Sequence, residues 1–222
     1  MAPQQLPLDL EYRPALGMAD FVIAPGNRDA IAWIDRWPDW PAHALAIHGP
    51  KGSGKTHLAH VWQARSNAAF LDRAPAAADT PVPAAIVLDA PQDWSEPALL
   101  HLYNHLAENR GHLLIVAKRP PARWNLKLRD LASRLAALPA VGIDPPDDQL
   151  IEAVLVKLFA DRQLAVAPDV VTYLTKRVER SFETLRRLVG FLDRESLARH
   201  RPVTLPLARE IVARETLERE SH

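Results

Sequence analysis

The sequence predicts an α/β protein: a parallel sheet flanked by helices, followed by a small all-helical domain. Three observations carry this. Short, continuous apolar runs at residues 44–48, 84–89 and 112–117 read as buried strands. Helical periods alternate with them, as in a parallel sheet covered on both faces. After Pro145 and Pro146 the strand signal stops and only helical periods follow. The chain has 222 residues, enough for one large domain or one domain with a small satellite. The expected organisation is an extended arm over 1–20, an α/β domain over 21–146 and a helical domain over 147–222.

In order along the chain, residues 1–20 show neither period and read as an arm. Residues 27–37 place Ala30, Ile31, Ile34 and Trp37 on one helical face, and Pro38 and Pro41 end that helix. The strand at 44–48 runs into a Gly-rich turn and then a helix over 56–65. A strand over 68–72 and a loop over 74–83 precede the clearest strand, AAIVLD, bounded by Pro83 and Pro91. Ser95 is placed to cap a helix that runs to about Glu108, with Leu99, Leu102 and Leu106 inward. The strand at 112–117 is followed by a helix over 128–137 and a last strand over 141–143. Asp147 is placed to cap a helix over 149–162, and helices over 169–177, 182–200 and 207–218 complete the reading.

Composition excludes several classes of function. Without cysteine there are no disulfides, no Cys-ligated zinc or iron–sulfur cluster and no thiol nucleophile. No apolar run approaches the ~18 residues of a membrane span. The first residues lack a basic segment followed by an apolar stretch, so a secretory signal is not expected and a cytoplasmic location is. Lys+Arg 27 balances Asp+Glu 27, which argues against a strongly basic nucleic-acid-binding body.

The sharpest motif is GPKGSGKT at residues 49–56, which satisfies G-x-x-x-x-G-K-[ST] in full. Gly49, Gly52 and Gly54 are three of only 8 glycines in the chain. Glycines let backbone N–H groups turn inward around phosphate oxygens, and the following helix adds its positive end. Pro50, Lys51, Gly52, Ser53 and Gly54 would form the cradle. Lys55 supplies a point charge to the β- and γ-phosphates, and the Thr56 hydroxyl is a Mg²⁺ ligand. Asp89, at the end of AAIVLD, is the carboxylate such a site needs for the Mg²⁺ shell. The next residues, Ala90 and Pro91, cannot polarise water, so nucleotide binding with poor self-catalysed hydrolysis is expected. Asp93 and Glu96 are the nearby acids.

On these residues the chain resembles the AAA+ module of the bacterial replication initiator DnaA. The resemblance runs through FVIAPGNRDA (21–30), GPKGSGKTHLAHVW (49–62), LLIVAKRPPARW (113–124), LRDLASRL (128–135) and PPDDQLIEAVL (145–155). With the sequence ending at 222, the helix-turn-helix domain that follows the lid in DnaA is not expected. RSFETLRRLVGFLDRESL (180–197), VTLPLAREIV (203–212) and QLPLDL (5–10) are similar to the Hda branch of DnaA-related regulators. The fold implied is a AAA+ P-loop NTPase core with a small C-terminal all-helical lid.

The resemblance implies roles for named residues. Phe21, Val22 and Asn27 would lie near the adenine, and His57 with residues 50–56 at the phosphates. Arg134 matches the arginine finger, which acts in trans on a neighbour's nucleotide, although among so many arginines a plain surface role stays open. Gln5, Leu6, Leu8 and Leu10 match a sliding-clamp-binding peptide. An extended segment of this kind can seat an amide in a polar notch and leucines in an apolar groove, with Pro3 and Pro7 limiting the unbound chain. An unstructured terminus is the plainer reading. The implied ligands are ADP or ATP with Mg²⁺. The implied partners are DnaA and the sliding clamp, with self-association into a homo-oligomer left open and neither membrane nor sequence-specific DNA contact expected.

Two departures from the family pattern stand out. The strand at 112–117 is followed by Lys118-Arg119 where relatives carry a small polar residue and an acid. The lid's nucleotide-sensing Arg aligns with Glu183, so Arg180 or Arg186 would substitute, or the lid contacts nucleotide weakly. The alternative function is a self-contained P-loop ATPase or small-molecule kinase, for which the Arg-rich 177–187 segment is the relevant feature. A helicase-loader-like protein acting directly on DNA is a third. His57 with His60, and His101 with His105, share helix faces but lack a third ligand for a metal site. Trp33, Trp37 and Trp40 read as a core or edge cluster.

Overall fold

The computed structural model describes residues 22–71, 82–91 and 94–220. Five strands, β1 (Ala44–His48), β2 (Ala69–Leu71), β3 (Ala85–Asp89), β4 (His112–Ala117) and β5 (Ala140–Gly142), form one sheet in the order β2-β3-β4-β1-β5. Every neighbouring pair is parallel. Parallel pairing requires crossovers; α2 (Lys55–Ser66) links β1 to β2, α3 (Glu96–Glu108) links β3 to β4 and α4 (Arg129–Ala136) links β4 to β5, with α1 (Arg28–Asp35) ahead of β1.

Strand alternation divides the core into two layers. Leu45, Ile47, Val87, Leu114, Val116 and Val141 face α1 and α2. Ala44, Ala46, Ile86, Leu88, Leu113 and Ile115 face α3 and α4 through Leu99, Leu102, Leu106, Leu131 and Leu135. Successive residues of every central strand are therefore buried on opposite faces, and this is why the strands read as continuous apolar runs rather than alternating ones.

The element order matches the sequence reading, with small shifts at the ends. The first helix starts after Asn27, whose side chain makes no cap bond because its amide is engaged elsewhere. Ser95 occupies the N-cap position of α3 without a side-chain cap bond. The last strand is Ala140–Gly142, one residue earlier than expected. Asp147 caps α5 as expected, its carboxylate accepting from the Leu150 N–H at 2.8 Å.

The chain beyond Pro145 forms a second compact unit. Its helices are α5 (Asp148–Asp161), α6 (Pro168–Arg177), α7 (Phe182–Arg199) and α8 (Leu205–Glu220). They enclose a core of their own built from Ile151, Leu155, Phe159, Leu174, Leu185, Leu188, Leu192 and Ile211. Among the described residues no helix is long and apolar enough to cross a membrane.

The tryptophan cluster is core. Trp62, fully buried on α2, stacks on Trp40 at 5.4 Å between centroids and meets Trp37 edge-on at 6.1 Å. Trp40 Nε1 donates to the Trp33 carbonyl at 2.7 Å, whereas the Trp62 Nε1 is buried with no acceptor. Trp62→Ala is expected to cost about 3–5 kcal/mol in urea unfolding. Trp62→Phe should cost far less, because it removes that unpaired N–H along with part of the ring. Equal losses in the two variants would contradict this account.

Candidate functional site

The GPKGSGKT segment bridges the end of β1 and the start of α2. Gly49, Gly52 and Gly54 take φ values of +154°, +80° and +94°, a region that side-chain-bearing residues rarely enter. At Gly49 a Cβ would also run into the Ile143 carbonyl. These backbone turns wrap the loop around Lys55, the first residue of α2. Its residue exposure is 9%, and its Nζ donates to the Pro50 carbonyl at 2.6 Å and lies 3.4 Å from Ser53 Oγ. Burial pushes the Lys55 pKa down, the nearby Asp89 carboxylate opposes this, and the charge of Lys118 adds to it. The ammonium thus has neutral oxygens as its hydrogen-bond partners, beside a helix N-terminus with no acidic residue in its first turn. Such an arrangement attracts an anion.

Thr56 and Asp89 come together as the motif requires. The Thr56 hydroxyl donates to Asp89 Oδ2 at 2.9 Å, although the two lie 33 positions apart in sequence and β4 separates their strands. Two hard oxygen donors at the edge of a phosphate cradle suit Mg²⁺. Directly after Asp89, Ala90 adopts φ +54° and donates its N–H to the Val116 carbonyl at 2.9 Å. Glu96 is committed elsewhere. Its carboxylate accepts from the Lys127 N–H at 2.9 Å and the Leu128 N–H at 2.7 Å, tying the start of α3 to the start of α4. Glu96 is near Asp89 in sequence, and in the structure it caps α4. Asp93 lies outside the described residues.

The segment ahead of α1 is drawn to the same end of the sheet. Asn27, 2% exposed, donates from Nδ2 to the Val22 carbonyl at 2.9 Å and accepts the Ala24 N–H on Oδ1 at 2.8 Å. Gly26 accepts from the Asp144 N–H at 2.9 Å, and Ile143 donates to the His48 carbonyl at 2.7 Å. The exit of β5 therefore staples the Val22–Asn27 turn beside the entry to the P-loop. Asn27 shapes that turn with its own amide. His57 follows Thr56 on α2 and is half-buried. Phe21, Gln5, Leu6, Leu8 and Leu10 lie outside the described residues.

Arg134 sits inside the last turn of α4, within the helix that the sequence predicts over 128–137. Its Nε donates to Asp130 Oδ1 at 2.9 Å, one helical turn back. Its guanidinium lies near His43, ahead of β1, and near Tyr103. His43 is held below its usual value chiefly by burial, and the charges of His112 and Arg134 add to this. Arg134 is thus at the N-terminal rim of the sheet and the P-loop at the C-terminal rim. Sequence reading missed Asp130, although its i,i+4 spacing from Arg134 was visible. In the helical unit, Arg180 pairs with Asp148 at 2.6 Å, and Arg186 is an α7 residue.

A five-stranded parallel sheet with a P-loop at its carboxyl rim, followed by a separate helical unit, defines a AAA+ core and its lid. A family profile described as "Hda, lid domain" matches residues 147–212. The helical unit is thus similar to the Hda lid domain, and the fold of the chain is similar to that of solved AAA+ structures. Domain III of the Thermotoga maritima replication initiation protein DnaA superposes with a TM-score of 0.74 at 19% identity, over 90% of this chain and 96% of that one. AMPPCP-bound DnaA from Aquifex aeolicus gives 0.68 at 18% identity, over 81% and 65% of the two chains. The Thermotoga maritima RuvB Holliday junction branch migration motor gives 0.68 at 13% identity, over 89% and 71%.

Backbone N–H donors from Leu128 and Lys127 hold the Glu96 carboxyl below the ordinary carboxylate range. The clamp is therefore complete above the unfolded-state value and is lost as pH falls through the lowered folded one. The amide resonances of Lys127 and Leu128 should titrate together in NMR with an apparent midpoint below that of a free glutamate. The step should vanish in Glu96→Gln, and its persistence there would assign it to another group.

Proposed function

We propose that this protein is a nucleotide-dependent, cytoplasmic regulator of replication initiation that lends Arg134 to ATP bound on DnaA. The observation that carries the reading is where Arg134 stands. Strand β1 separates it from its own P-loop, and five residues at ~3.3 Å each span about 16 Å. That distance is too long for Arg134 to serve the phosphates of its own chain. A guanidinium held through Nε keeps its two terminal nitrogens for a phosphoryl group supplied by another molecule. The Hda-type lid supports DnaA as that molecule. Gln5, Leu6, Leu8 and Leu10 are the proposed contact with the sliding clamp.

In this reading residues 50–57 hold ADP or ATP, with the Phe21–Asn27 segment at the adenine and Arg186 as the lid's contribution. Thr56 and Asp89 hold Mg²⁺, which neutralises phosphate charge when bound. Turnover by the chain itself is expected to be weak, because Ala90 follows Asp89 and the Glu96 carboxylate is engaged by α4. Those same features weigh against a self-contained ATPase or kinase.

Two measurements test this. With clamp present, Arg134→Ala should lower the stimulated hydrolysis of DnaA-bound ATP by roughly 10³-fold, and Arg134→Lys should not restore it, since an ammonium lacks the planar fork. An unchanged rate in Arg134→Ala would sink the proposal. Separately, bound phosphate favours the charged form of Lys55, whose pKa burial has lowered, so binding takes up a proton at alkaline pH. ADP affinity should therefore fall as pH rises through that lowered value, earlier than an ordinary lysine predicts. Calorimetric titration across the alkaline range reads it directly, and a flat profile there would count against Lys55 as the phosphate-binding charge.

A further inference from the structure

We propose that the segment over 119–129, which joins β4 to α4, is a strip that binds the phosphate backbone of duplex DNA without regard to base sequence. The strip lies outside the P-loop, and its charge is present with or without nucleotide.

The chain as a whole has a net charge of +0, yet residues 119–129 hold Arg119, Arg123, Lys127 and Arg129 and no acid. All four are exposed, and among the described residues none of them has a carboxylate partner. Surface cations elsewhere are paired: Arg65 with Asp35, Lys157 with Asp161, Arg199 with Glu195 and Glu210. The acids beside the strip are engaged. Glu96, near Lys127, accepts the N–H groups of Lys127 and Leu128, and Asp130 holds Arg134.

The strip is anchored from within. Pro121 is buried, and the 3-10 turn Pro121–Arg123 packs on α4. Trp124 Nε1 donates back to the Arg119 carbonyl at 3.1 Å. The side chains of Trp124, Leu126 and Leu128 pack on the core layer under α3 and α4. Burial therefore alternates along this stretch, and Arg123, Asn125, Lys127 and Arg129 are left outside.

What stands outside selects the partner. The exposed side chains between the cations are Ala122 and Asn125, and none of the large exposed hydrophobics falls in the segment. A protein interface draws its affinity from aromatic or aliphatic anchors seated in pockets. A single strand of nucleic acid is held by aromatic rings on which its bases stack. Trp124, the one aromatic ring here, is committed to the core. Cations without an anchor suit a dense, even line of negative charge, and duplex DNA carries one charge per about 1.7 Å of its axis. Contacts to phosphate fix position and carry no base information.

Anisotropy titrations of the full chain with two labelled duplexes of unrelated sequence test the proposal. Wild type should bind both alike. With four phosphate contacts, affinity should fall roughly a hundred-fold between about 50 and 200 mM salt. Each of Arg119→Ala, Arg123→Ala, Lys127→Ala and Arg129→Ala should lower the slope of log affinity on log salt by about one. The four alanines together should abolish binding. Arg119→Lys, Arg123→Lys and Arg129→Lys together should keep it, because a phosphate accepts a point charge. Arg194→Ala, which removes an exposed arginine stacked on Phe191, should change nothing. Melting temperatures should agree across the set, since the four side chains are exposed and unpaired; if the four-alanine chain melts early, the salt slopes of the single variants decide. Unchanged duplex affinity in the four-alanine chain, unchanged slopes in the single variants, or no duplex binding by wild type at low salt overturns the proposal. Binding that follows base sequence, or single strands bound more tightly than duplex, overturns it as well. Polyglutamate bound through the same four residues while duplex is not would assign the strip to an acidic protein instead.

Discussion

All five strands run in one direction, and the chemistry depends on that constraint. Parallel pairing sends every strand's carboxyl end to a single rim, where the loops that follow must meet. The P-loop after β1, Asp89 at the end of β3, Lys118 after β4 and the Ile143–Asp144 exit of β5 are brought together there, although the sequence spreads them over almost a hundred positions. An antiparallel strand anywhere in the centre would send one of these groups to the opposite rim.

The same constraint separates the two arginine-relevant ends of the molecule. Helix α4 returns the chain to the amino rim before β5, and Arg134 in its last turn is delivered there. A cation at one end and a phosphate cradle at the other cannot complete a catalytic centre within one chain. Glu96 contributes by anchoring the first turn of α4, so the helix that carries Arg134 is held from a position only seven residues past Asp89.

The buried charge of the P-loop is concentrated on one lysine. Lys55 is nearly buried, bonded to neutral oxygens, and flanked by a second lysine and one carboxylate. Catalysis of hydrolysis would need a group that takes a proton from water. Ala90 stands directly after Asp89, and Glu96 accepts two backbone N–H groups instead. The nearby described carboxylates are thus committed to Thr56 and to the backbone ahead of α4.

The sequence alone determined the strand–loop–helix order, the P-loop, Asp89 as its distant carboxylate and the change to all-helical structure after Pro145. Each of these is local: apolar runs with no alternation mark strands buried on both faces, and glycines mark backbone turned to positive φ. What only the tertiary structure decided were the pairings across long separations. The contact between Thr56 and Asp89 required the strand order. The commitment of Glu96, one of the two acids near Asp89 in sequence, to the Lys127 and Leu128 N–H groups required the packing of α3 on α4. The placement of Arg134 at the rim opposite its own P-loop required the direction of every strand. None of these is carried by a residue's neighbours in sequence, because hydrogen-bond partners and charge separations are set by packing, and packing joins segments that the chain keeps far apart.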